Sequence, residues 1–72
     1  MLNLSELEPQ QEGIIADLNT SDKNILKKLM SMGILPGMPL KVVQTFPSYV
    51  FKVGYTQLAV DINIAKAILV SV

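Results

Sequence analysis

A chain of 72 residues, with 6 basic and 6 acidic side chains and no histidine or cysteine, is expected to form one small domain over residues 1–72. It buries only about 60% of the surface its unfolded form exposes, and no disulfide or thiolate metal site can add to its stability. Zero net charge and a basic set made entirely of lysine exclude independent nucleic-acid binding, which needs a basic excess and forked guanidinium contacts.

The opening segment Leu4-Ser5-Glu6-Leu7, before Pro9, reads as a brief strand or turn. Gly13 to Leu18 is β-branched at its centre and bounded by glycine and polar residues, which predicts a strand. Asn19-Thr20-Ser21-Asp22 is a helix-start cluster, with Ser21 expected as N-cap and Asp22 in the first turn, where the helix dipole favours negative charge. Ile25, Leu26, Leu29, Met30 and Met32 then fall on one side at helical spacing, and Lys23, Asn24, Lys27, Lys28 and Ser31 on the other. The pattern predicts one helix over about 22–32.

The helix ends in Leu29-Met30-Ser31-Met32-Gly33-Ile34-Leu35-Pro36-Gly37-Met38. Gly33 can take the left-handed conformation that closes a helix, with Ile34 folding back on Leu29. Pro36 cannot continue the helix, and Gly37 completes a turn. Three strands follow: Leu40 to Phe46, Tyr49 to Val53 and Thr56 to Val60. The last two are joined by Gly54-Tyr55, a Gly-X loop suited to a type II′ hairpin. Residues 61–66 break the alternation and predict one helical turn, and Ile68, Val70 and Val72 close the chain as a strand. Short strands separated by glycine turns in so few residues predict a mainly β fold, a small barrel with one inserted helix.

Half of the residues are apolar, and mean hydropathy is +0.42. No apolar run reaches the ~18 residues of a spanning helix, and Met1 to Glu6 lack the basic region and apolar core of a signal peptide, so direct membrane insertion is not expected. A core this small cannot absorb the surplus, which points to a contact surface. All four aromatic residues, Phe46, Tyr49, Phe51 and Tyr55, lie within ten positions. Phe46, Tyr49 and Tyr55 are candidate partner contacts, joined by Met32, Ile34 and Leu35 beside the helix end. Gly33, Pro36, Gly37 and Gly54 are the structural positions.

Chemistry is sparse. The serines have no base beside them. Glu6, Glu8 and Glu12 cluster, but with no apolar surroundings to tune an acid/base pair. Ferrous iron prefers imidazole and carboxylate donors, and only carboxylates are present; Met30 and Met32 read as gap-filling core side chains. No Gly-rich loop carries a lysine into a helix. No enzyme activity, metal site or cofactor is expected.

The order of Leu4-Ser5-Glu6-Leu7, Gly13-Ile14-Ile15, Leu26-Lys27-Lys28-Leu29, Met32 to Gly37, Leu40-Lys41-Val42-Val43, Gly54 to Val60 and Ala65 to Val70 resembles the ferrous iron transport protein A (FeoA) family over nearly the whole chain. The resemblance implies an SH3-like β-barrel with one inserted helix. It also implies a cytoplasmic accessory protein that binds and regulates a membrane ferrous-iron transporter bearing a GTP-binding domain. The module is also similar to the C-terminal domain of DtxR-type iron-dependent repressors, so a metal-responsive regulatory fragment is one alternative. A generic peptide-binding barrel is another, and weak self-association stays compatible with either. The chain departs from the family pattern at Lys28, where arginine is usual, in the glycine-free loop 44–49, and at Asp61, where a basic residue is frequent.

Overall fold

The structure, a computed structural model describing residues 1–72, is organised around one antiparallel sheet. Its strands are β1 (Leu2–Asn3), β2 (Glu12–Leu18), β3 (Pro39–Gln44), β4 (Tyr49–Val53), β5 (Thr56–Val60) and β6 (Ile68–Ser71). They lie in the order β1-β6-β2-β3-β4-β5, so β1 and β5 are the two edges. Two α-helices, α1 (Lys23–Ser31) and α2 (Ile62–Ala67), and a 3₁₀ turn over Leu4–Glu6 complete the chain. The helix expected over about 22–32 is α1, and the helical turn expected over 61–66 is the short helix α2.

Alternation along the strands builds the core. Leu40 and Val42 of β3, Phe51 and Val53 of β4, and Ile68 and Val70 of β6 are buried, while Lys41 and Lys52 between them are exposed. All buried residues are hydrophobic, and Leu4, Ile34, Phe51, Ala65, Ile68 and Val70 have no exposed surface. Burying a side chain such as Phe51 contributes on the order of 1.5–3 kcal/mol. Phe51 is thus core, separating it from the other aromatics.

The start of α1 differs from expectation by one residue. Asp22, not Ser21, is the N-cap: its carboxylate accepts from the N–H groups of Asn24 (2.9 Å) and Ile25 (3.3 Å). Thr20 Oγ1 accepts from the Asp22 N–H (3.2 Å) and turns the chain into the helix. The apolar face is narrower than the sequence suggests. Ile25, Leu26, Leu29 and Met32 pack on the core, but Met30 is 45% exposed. The i, i+1, i+4, i+7 stripe already fills the contact arc, and Met30 lies about 100° beyond Leu29.

Gly33 has φ +87°. The Gly33 N–H donates to the Met30 carbonyl (3.1 Å), and the Ile34 N–H donates to the Leu29 carbonyl (3.0 Å). This paired closure is a Schellman cap, sealed by apolar contact between buried Leu29 and Ile34. Two residues on, Pro36 and Gly37 (φ +92°) occupy the centre of a turn in which Met38 N–H donates to Leu35 carbonyl (3.1 Å), the type II arrangement. Gly54 (φ +60°) opens the β4–β5 hairpin, and Tyr55 keeps a negative φ, as a type II′ turn requires.

The remaining elements were less visible in the sequence. The 3₁₀ turn is capped by Asn3, whose side chain accepts from the Ser5 N–H (3.0 Å), while Glu6 Oε1 accepts from the Asn3 N–H (3.1 Å). The helical turn expected over 61–66 lies one residue later, at Ile62–Ala67: Asp61 is the extended N-cap of α2, accepting from the Ile64 N–H at 2.9 Å. Gly13 lies against the end of β6: an added Cβ there would lie 2.5 Å from Val70 Cγ1 and 2.8 Å from the Ser71 carbonyl oxygen.

Candidate functional site

The chain has no histidine or cysteine, and no three of its carboxylates converge as metal ligands. Glu6 is engaged in the backbone cap of the first turn. No helix is long and apolar enough to cross a membrane.

Large apolar side chains reach the surface. Met1, Ile14, Met30, Leu35, Phe46, Tyr55, Ile62 and Val72 are all exposed. The aromatic candidates, contiguous in sequence, are split in space. Strand β4 runs between them, so Phe46 lies at one end and Tyr55 at the other. Strand β3 ends at Gln44, two residues short of the predicted Phe46, because the bulge between Val42 and Gln44 re-aims the chain. Phe46 therefore stands in the β3–β4 loop, 84% exposed, before a cis bond to Pro47. Tyr55, at the hairpin tip, is fully exposed. Tyr49 is half-buried, paired with Val60 and packed against the core.

The helix-end candidates divide in the same way. Leu35 is exposed and Met32 half-buried, but Ile34 has no exposed surface. Ile34 is corrected from contact residue to core residue: the Schellman closure turns its side chain inward onto Leu29. The position after a glycine cap is the one that folds back, so this was legible.

Two depressions border these residues. One of about 500 Å³ is lined by Pro47, Ser48, Tyr49, Ala59, Val60, Asp61 and Ile62. The other, about 270 Å³, lies between α1, β5 and α2; Ile25, Leu29, Met32, Leu58, Val60 and Ile64 form its apolar wall, and Lys28 is its one charged residue. They meet at Ala59–Val60. Sequence reasoning missed the second groove, because it joins residues more than 25 positions apart. The signal that could have found it was the single lysine bordering the helix's apolar stripe.

Known proteins share this architecture. A Leptolyngbya boryana protein, provisionally named Fe(2+) transport protein A, is 32% identical over 69 residues, covering 94% of this chain and 84% of its own length. A crystal structure of an iron uptake regulatory protein, FeoA, superposes with a TM-score of 0.85 at 28% identity, covering 97% of this chain and 93% of that one. Stenotrophomonas maltophilia FeoA, described as a prokaryotic SH3 domain protein and solved with zinc, gives 0.86 at 23% identity over 99% of this chain and 91% of its own. A manganese-dependent transcriptional repressor gives 0.90 at 19% identity, over 97% of this chain and 40% of its own; that likeness is one of fold alone. The fold is thus mainly β and SH3-like, as expected. The FeoA domain model matches residues 2–72, and the chain belongs to the FeoA family.

Proposed function

We propose that residues 1–72 act as one non-enzymatic accessory module in the cytoplasm, binding the cytoplasmic GTP-binding domain of a membrane ferrous-iron transporter and regulating it. The observation that carries this reading is the surface. Large apolar side chains stand exposed on a neutral chain with no nucleophile–base pair and no imidazole or thiolate donor. Such a surface suits protein contact and offers little to a substrate or an iron ion. Family membership over residues 2–72 and the ferrous-iron name of the Leptolyngbya boryana relative support iron transport as the setting. Phe46, Tyr49, Tyr55, Met32 and Leu35 are the proposed contact residues. The repressor-like alternative is supported by likeness of fold alone, at 19% identity.

The test is uptake of radiolabelled Fe(II) by cells lacking this chain. Uptake should fall and recover when the chain is resupplied. Unchanged uptake in the deleted cells would reject the reading.

A further inference from the structure

Strand β5 is a sheet edge, paired with no strand but β4. Val53 and Thr56 flank a two-residue hairpin loop, so they form a hydrogen-bonded pair, and alternation then makes Leu58 and Val60 the bonded residues of β5. Gln57 and Ala59 therefore aim their N–H and C=O groups away from β4. Both residues are exposed, and neither appears in any turn, cap or side-chain hydrogen bond. Beside this edge lies the 270 Å³ groove, with Ile25 and Met32 on the helix side and Leu58 and Val60 on the strand side. An edge of this kind is usually blunted by proline, by a charge on the strand, or by a covering element. Thr56-Gln57-Leu58-Ala59-Val60 has neither proline nor charge.

We infer that the β5 edge and its neighbouring groove receive an extended segment of the partner protein, which adds as a strand to the sheet. The inference rests on the reading of this chain as an accessory module and names the part of the partner it would hold. Backbone groups of Gln57 and Ala59 hold the segment's main chain. Alternate side chains of an added strand point to one face, so apolar residues two apart enter the groove beside Leu58 and Val60. Lys28 is exposed at the groove, and no carboxylate lines it. The segment therefore carries an acidic residue near Lys28.

The probe is a capped heptapeptide alternating valine with glutamate, titrated into the ¹⁵N-labelled chain and followed by amide shifts. The largest shifts should fall on Gln57, Leu58 and Ala59, with slowed solvent exchange of the Ala59 amide. Ala59→Pro removes an outward donor and leaves the β4 ladder intact, so it should weaken binding by about tenfold or more. Lys28→Glu should weaken the glutamate peptide and favour one alternating valine with lysine; this exchange decides the matter if Ala59→Pro fails to fold. Shifts confined to Phe46 or Tyr55, no charge exchange, or a chain dimer that pairs through β5 and excludes the peptide would each overturn the inference. Transporter domain that binds wild type and folded Ala59→Pro equally would overturn it while sparing the proposed function. Peptide binding at β5 without any binding of that domain would do the reverse.

Discussion

Glycines at two kinds of position show how single residues constrain this fold. Gly33 sits at φ +87° with open space around its Cβ position. Its replacement is opposed by backbone conformation, not by a clash. Gly33→Val should lose at least about 1 kcal/mol, because a β-branched residue resists the left-handed region. An unchanged urea midpoint would contradict this. Gly13 is the opposite case: its φ is ordinary, but Val70 and the Ser71 carbonyl occupy the space of a side chain. Gly13→Ala must push β2 from β6 and should cost about 1–3 kcal/mol as overpacking. Thermal unfolding of the variant at the wild-type temperature would show that the strands yield freely. The role of Gly33 was readable from the helix pattern before it and Pro36 after it. That of Gly13 was not, because its constraint comes from residues 57 and 58 positions later in the chain.

At the level of elements, local chemistry decided most boundaries. Strands β4 and β5 run over the residues that alternation and the Gly54-Tyr55 loop indicated. The hairpin is a local object, with its register set by two residues. Helix α1 was visible for the same reason, but its cap moved from Ser21 to Asp22 because both are good capping residues, and only the turn set by Thr20 distinguishes them. Asp22→Ala should cost about 1 kcal/mol, whereas Ser21→Ala should change little. Equal losses in denaturant melts would return the cap to Ser21. Two-residue β1 owes its strand geometry to its pairing with β6, and no local pattern announces so short a strand. Asp61 departs from the family pattern, yet it has a local task as the cap of α2. The split of the aromatic segment was hidden for a related reason. Closeness in sequence says nothing of which end of β4 each ring occupies, and the bulge in β3 is invisible without its partner strand.

For the whole molecule, what matters is that an apolar excess is distributed over the surface of a neutral chain. The buried set is modest, 15 of 72 residues, and the exposed apolar side chains, Phe46 and Tyr55 among them, are available for contact. Phe46 and Tyr55, at opposite ends of β4, cannot both lie at the centre of one small patch, and an interface using both must span the length of that strand. Each is exposed enough for truncation to spare the fold, whereas half-buried Tyr49 also supports the core. The most direct measurement is calorimetric titration of the purified chain into the cytoplasmic GTP-binding domain of the ferrous-iron transporter proposed as its partner, at low and high salt. The account predicts a saturable complex whose affinity falls only modestly with salt, since the contacts apart from Lys28 are uncharged. It also predicts a loss of about 1–2 kcal/mol in Phe46→Ala or Tyr55→Ala. No complex under either condition, or wild-type affinity in both folded variants, would contradict it.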